Sequence, residues 1–129
     1  MVKRGFKAML AEANAVIETV SVPDLAYHLE DSDTLLVDVR DLAERERDGA
    51  IPDSVHVSRG LLEFKADPES PIYEPALRPD RRIILYCGSG GRSALAAKTL
   101  HDMGYSDVAS LAGGYAAWRK AQEGSARQT

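Results

Sequence analysis

The sequence predicts an α/β domain built on a mostly parallel sheet, and three observations carry that expectation. Four short, nearly all-apolar runs read as strands buried on both faces. Stretches with helical spacing or turn residues separate them, and strands alternating with helices leave a parallel sheet covered on both sides. One of the runs also ends in a glycine-rich turn that opens a helix, the junction at which open parallel sheets bind ligands. A chain of 129 residues is one domain long and can bury a core without disulfide or metal staples.

The elements follow in chain order. Phe6, Met9, Leu10, Ala13, Val16, Ile17 and Val20 recur in steps of three and four, so residues 1–20 are expected as an N-terminal amphipathic helix packed on the domain. Residues 21–123 are expected as the domain proper. It opens with a helix start at Ser21-Val22-Pro23-Asp24, where serine can cap, proline suits the first turn, and aspartate favours exposed amides. Leu25, Ala26 and Leu29 would be that helix's buried face. The strand candidates are Thr34–Val39, Val55–Val57, Ile83–Tyr86 and the weaker Val108–Leu111. Between them, Leu42–Asp48 is charged, Gly60–Ala66 is short, and Pro68–Arg82 holds four of the six prolines. Ser93–Met103 is the clearest helix, with Leu95, Ala96, Thr99, Leu100 and Met103 on one face and Gly104 as a left-handed stop. Residues 124–129 are expected as a frayed tail.

Composition narrows the function. Sixteen basic against twenty acidic residues give a net charge of −4 and a pI near 5.3, which argues against binding nucleic acid or an anionic membrane through bulk charge. No apolar run approaches the ~20 residues of a membrane-spanning helix. Glu12 and Asn14 interrupt the region where an export signal would need a continuous apolar segment. One cysteine forms no internal disulfide and no multi-cysteine zinc site, which fits a reducing, cytoplasmic setting. His28, His56 and His101 lack ligand spacing, so no metal is expected.

The informative stretch is Tyr86-Cys87-Gly88-Ser89-Gly90-Gly91-Arg92-Ser93-Ala94. Its glycines let the backbone curl so that its amides point inward, and the following helix adds unpaired N–H groups and the positive end of its dipole. A cysteine set there has its thiolate stabilised beneath an open pocket, and so becomes a nucleophile near neutral pH. A lone cysteine at a strand end is ordinarily just a small buried side chain. The glycines, Arg92 and the helix start tip the reading toward chemistry.

Cys87-x-x-Gly90-x-Arg92-Ser93 resembles the active-site loop of rhodanese-type sulfurtransferases. Val37-Asp38-Val39-Arg40 with Glu44 is similar to the family's Asp-x-Arg segment, Gly49-Ala50-Ile51-Pro52-Asp53-Ser54 to its Gly-His-Ile-Pro-Gly-Ala turn, and Gly113-Gly114-Tyr115-Ala116-Ala117-Trp118 to its closing Gly-Gly-x-x-x-Trp. The chain departs from the pattern at Ala50, at Asp53-Ser54 and at Arg45, where the family often has histidine, a small Gly-Ala pair and an aromatic or apolar residue. The resemblance implies a rhodanese-like fold of about five parallel strands with helices on both faces. It also implies covalent sulfur transfer with no cofactor: Cys87 takes sulfur from a small donor such as thiosulfate and passes it as a persulfide to a thiol or other thiophilic acceptor. Gly88, Ser89, Gly90, Gly91, Arg92 and Ser93 would bind the substrate, with Arg92 orienting an anionic donor and Ser93 capping the helix. Asp38, Arg40 and Arg59 would support the site, although Arg40 and Glu44, spaced i and i+4, would equally form a surface ion pair.

Two other readings stay open. One is a non-catalytic rhodanese-like module that binds a partner or senses redox state through an oxidisable thiol. The other is a phosphatase or arsenate-reductase type of enzyme, which would use Cys-x5-Arg where this chain has Cys87-x4-Arg92, a tighter cradle suited to one sulfur atom. The N-terminal stripe could serve a homodimer.

Overall fold

The computed structural model describes residues 2–128, and side chains through Ser125. Five strands form one parallel sheet: β1 (Glu18–Val20), β2 (Leu35–Asp38), β3 (Val55–His56), β4 (Ile83–Tyr86) and β5 (Val108–Leu111), in the order β1-β5-β4-β2-β3. The helices are α1 (Phe6–Val16), α2 (Val22–Leu29), α3 (Leu42–Asp48), α4 (Leu62–Lys65, entered through a 3₁₀ turn at Arg59–Leu61), α5 (Gly91–Met103) and α6 (Gly114–Gln128). Among the described residues no helix is long and apolar enough to cross a membrane.

The central strand β4 positions everything that follows. Its alternation sends Ile83, Leu85 and, just past its end, Cys87 into one core layer with Ala96, Ala97 and Leu100 of α5. Ile84 and Tyr86 go into the other layer, with Leu25 of α2 and Tyr115 of α6. Ile83, Ile84 and Leu85 are wholly buried, each contributing about 1.5–3 kcal/mol by leaving water. Buried on both faces, the strand reads as a continuous apolar run.

Local signals set the helix ends. Ser21 caps α2 by accepting from the Asp24 amide at 3.3 Å. The Glu44 carboxylate reaches back to the Asp41 amide at 2.9 Å and closes the first turn of α3. Gly104, at φ 111°, ends α5 with the Gly104 and Tyr105 amides returning to His101 and Leu100 carbonyls.

Several expectations are corrected. The N-terminal helix stops at Val16, and Glu18–Val20 is an edge strand paired in register with Ala109–Leu111, so the sheet begins inside the segment expected to be a helical extension. Three residues carry too little periodicity to announce a strand, and the β-branched Thr19 and Val20 were its trace. Only part of the stripe on α1 is covered: Ala13 and Ile17 are buried, while Phe6, Met9 and Val16 are exposed. On α2, Leu25 is buried but Ala26 is exposed. The buried face of α5 is Ser93, Ala94, Ala96, Ala97 and Leu100, with Met103 outside, because small alanines let the helix lie close on the sheet. Residues 124–128, expected to fray, continue α6, and Thr129 lies outside the described residues.

Candidate active site

Cys87 sits one residue past β4, and the chain then wraps its side chain from above. Gly90 takes φ 112°, a left-handed conformation that favours glycine, and turns the backbone directly into α5. The Gly90 amide then lies 3.1 Å and the Ser93 amide 3.4 Å from the Cys87 sulfur, and the Ser93 hydroxyl oxygen is 3.5 Å away. Burial pushes the Cys87 thiol up. The Ser93 hydroxyl and the amides of Ser93, Gly90 and Ser89 outweigh it, and the net shift is downward.

The other half of this arrangement comes from α6. Its Tyr115 and Ala116 amides donate to the Cys87 and Gly88 carbonyls at 2.8 and 3.1 Å. A trans peptide is planar with C=O and N–H opposed, so pulling the Gly88 carbonyl toward α6 turns the Ser89 amide the other way, toward the sulfur. That grip needs close contact. A Cβ on Gly114 would stand 2.5 Å from the Cys87 carbonyl oxygen and 2.8 Å from Gly88 backbone atoms.

Ser93 does not cap α5, because Gly90 occupies the cap position. Its buried hydroxyl lies 2.7 Å from that of Ser110 on β5 and 3.2 Å from the Gly90 carbonyl. Nor is the sulfur open to solvent: Cys87 is 1% exposed, beneath a loop whose Ser89 and Arg92 face water. A reagent must slip past or displace the 88–92 loop.

Arg92 lies over this loop, 3.3 Å from where a Gly88 Cβ would be, and its guanidinium is engaged two-pronged by Glu44 at 2.8 and 2.9 Å. Arg92 holds the Glu44 carboxyl down to about 2, and Glu44 in turn raises Arg92.

Asp38 and Arg40 form a second pair, on the opposite face of the sheet from the sulfur. Arg40 binds Asp38 through Nε and Nη2 at 3.0 and 2.8 Å, reaches the Gly49 carbonyl at 2.7 Å, and stacks 4.3 Å over the Tyr115 ring. The alternative pairing of Arg40 with Glu44 is not made. Neither Asp38 nor Arg40 bonds Cys87; they fix the Gly49 end of α3 and the ring at the start of α6. Arg59 is turned away as well, bound to Glu63 and to Thr99 of α5 at 3.0 and 3.2 Å.

Two of the departures from the family pattern, Arg45 and Ser54, are coupled. Arg45 reaches Asp38 at 3.0 Å, the Ser54 hydroxyl at 3.1 Å and the Ser54 carbonyl at 2.8 Å. Ser54 in turn meets the Tyr86 hydroxyl at 2.9 Å. Asp53 stands at φ 65°, where the family's glycine would sit. Sequence reasoning left Glu44, Ser110 and Gly114 out of the site. Glu44 had a signal, since a carboxylate in the first turn of α3 faces the carboxyl end of the sheet. Ser110 had none beyond being a polar residue in an apolar strand.

Residues 21–121 match the rhodanese-like domain family. A sulfurtransferase of Allochromatium vinosum is 34% identical over 106 residues, covering 81% of this chain and 91% of that protein. Thiosulfate sulfurtransferase GlpE of Pseudomonas savastanoi is 36% identical over 100 residues, covering 75% and 83%. A Rhodopseudomonas palustris structure, of a protein of unknown function described as a possible tyrosine phosphatase, is 49% identical with a TM-score of 0.89, covering 95% of this chain and 94% of that one. With its fold, its loop and its relatives in agreement, this chain belongs to the rhodanese-like domain family.

Proposed function

We propose that the protein is a sulfurtransferase that carries sulfane sulfur as a persulfide on Cys87, with thiosulfate or a similar molecule as donor and a thiophile as acceptor. The observation that carries this reading is the convergence of the Gly90 and Ser93 amides on one sulfur atom. These donors favour the thiolate without a general base. The Cys87 thiolate attacks the outer sulfur of thiosulfate, and a new S–S bond forms as the old one breaks. Its electron pair leaves on sulfite, and Cys87 keeps a persulfide anion. The same donors then face an anionic sulfur displaced by one bond, so both resting states are stabilised. An acceptor such as cyanide takes the outer sulfur as thiocyanate and returns the thiolate. Cys87 is the chain's one cysteine, so no internal thiol can resolve the persulfide and the acceptor is a separate molecule.

A phosphatase would need the loop arginine to clasp a tetrahedral oxyanion. Four residues separate Cys87 from Arg92, and Glu44 already occupies both prongs of Arg92. Intact mass spectrometry after thiosulfate treatment tests the reading. Expected is a gain of one sulfur atom, reversed by cyanide and absent in Cys87→Ser. Oxygen gained from peroxide with no sulfur uptake would mark a redox sensor instead. Hydrolysis of p-nitrophenyl phosphate faster than thiosulfate:cyanide turnover would mark a phosphatase.

A further inference from the structure

The cation nearest the loop in sequence is not free. Both terminal nitrogens of Arg92 are bound by the two oxygens of Glu44, and the Glu44 oxygen that meets Arg92 Nη1 also accepts the Asp41 amide. The carboxylate is thereby anchored in the first turn of α3 and cannot easily swing aside. With its carboxyl held near 2, it stays ionised wherever the Cys87 thiolate exists. Other charges facing this pair are Asp41, which acts on Arg92, and two that act on Glu44: Arg40, committed to Asp38 on the far face of the sheet, and Arg47, committed to Asp48. The pair itself is therefore neutral, and Asp41 adds a negative charge beside it.

That matters for the first chemical step. A thiolate attacking the outer sulfur of thiosulfate brings three negative charges together and expels sulfite. Attacking the outer sulfur of a hydropersulfide in its uncharged form brings one, the new S–S bond forming on Cys87 as the donor's breaks and its electron pair leaves on a thiolate. We propose that Glu44 determines donor charge: by occupying Arg92 it withholds that cation from dianions, so that uncharged hydropersulfides are taken in preference to thiosulfate. This rests on the sulfur-transfer reading of the site and adds the class of donor. Glu44 is a specificity-determining residue here and makes no contact with the sulfur. It also straps α3 across the loop that covers Cys87, so a variant at this position alters access as well as charge, and the test must separate the two.

The variant is Glu44→Gln, which keeps an acceptor for the Asp41 amide and removes the charge. Rates of Cys87 alkylation are measured with iodoacetate, an anion, and iodoacetamide, its neutral analogue. Looser access accelerates both equally; a change of local charge raises their ratio, and the Arg92→Ala background separates the freed cation from the lost carboxylate. Coulomb attraction over ~5 Å in water-like surroundings predicts a rise in that ratio of about fourfold. The ratio of kcat/KM for thiosulfate to that for the hydropersulfide of 2-mercaptoethanol is expected to rise about tenfold or more, since the dianion carries twice the charge. In Arg92→Ala, adding Glu44→Gln removes a repelling carboxylate but frees no cation, so both ratios should rise less than in the wild-type background. An unchanged or falling alkylation ratio in Glu44→Gln overturns the proposal, as does the same rise in the Arg92→Ala background. If the alkylation ratio rises but no donor loads sulfur on Cys87, charge selection at the thiol stands and the sulfur-transfer reading, with the donor class drawn from it, falls.

Discussion

Two of the molecule's two-pronged arginine–carboxylate contacts, Arg40 with Asp38 and Arg92 with Glu44, sit in opposite surroundings. Arg40 and Asp38 meet at 2.8 Å with side chains 2% and 0% exposed, while Arg92 and Glu44 meet at the same distance with side chains 42% and 23% exposed. The bonds are alike and the water is not. In the interior, both charges have given up hydration, and each keeps the other from becoming an unpaired buried ion. At the surface, either charge can fall back on solvent, so the pair contributes little to the fold and its position decides what else Arg92 can bind. Identical chemistry therefore serves as scaffold in one place and as an adjustable part of the site in the other.

The contrast can be broken by truncating each carboxylate. Asp38→Ala leaves Arg40 and Arg45 facing an empty place in the core and should cost about 3–5 kcal/mol, read as a lower midpoint in urea. Glu44→Ala should cost no more than ~1 kcal/mol in the same titration. Equal losses would show that burial does not distinguish the two pairs.

Acid sharpens the comparison. Burial raises Asp38, but its bonds from Arg40 and Arg45 outweigh this, so both carboxylates lie below their ordinary values in the fold. The unfolded chain therefore binds protons first. Their contribution is complete above the ordinary carboxylate range near ~4 and is lost as pH falls through the folded values, about 2 for Glu44. Glu44→Gln should flatten the fall in stability between about pH 4 and about pH 2. An unaltered slope would mean that Arg92 does not hold this carboxyl down. The smallest effect belongs to the loop beside the buried pair, where Asp53→Gly relieves a left-handed backbone angle. Thermal unfolding should move upward, by about 1 kcal/mol or less, and a clear drop would give the Asp53 side chain a role of its own.

How much of this was legible beforehand follows the same divide between local and long-range causes. The strands β2, β4 and β5 were readable because burial on both faces keeps the runs nearly all apolar, Asp38 and Ser110 being the exceptions. The start of α2 and the stop at Gly104 were readable because capping is settled within a few residues. The first strand was not, since its identity as strand depends on register with Ala109–Leu111, about ninety residues away. At the site, the glycine turn marked the thiol and the donors around it. That Arg92 would be taken by Glu44, that Arg40 would turn inward to Asp38, and that Arg59 would reach Thr99 depend on which helices meet, and spacing along the chain does not encode that. The departures at Arg45, Asp53 and Ser54 were visible one by one; that Arg45 and Ser54 share one network beside Asp53 was not.

The grip of α6 on the Cys87 and Gly88 carbonyls has a consequence for synthesis. The residues that make it, Tyr115 and Ala116, leave the ribosome after the cysteine. A nascent chain therefore carries a thiol without its full set of donors until α6 docks. The cradle for the thiolate is complete only once α6 is in place.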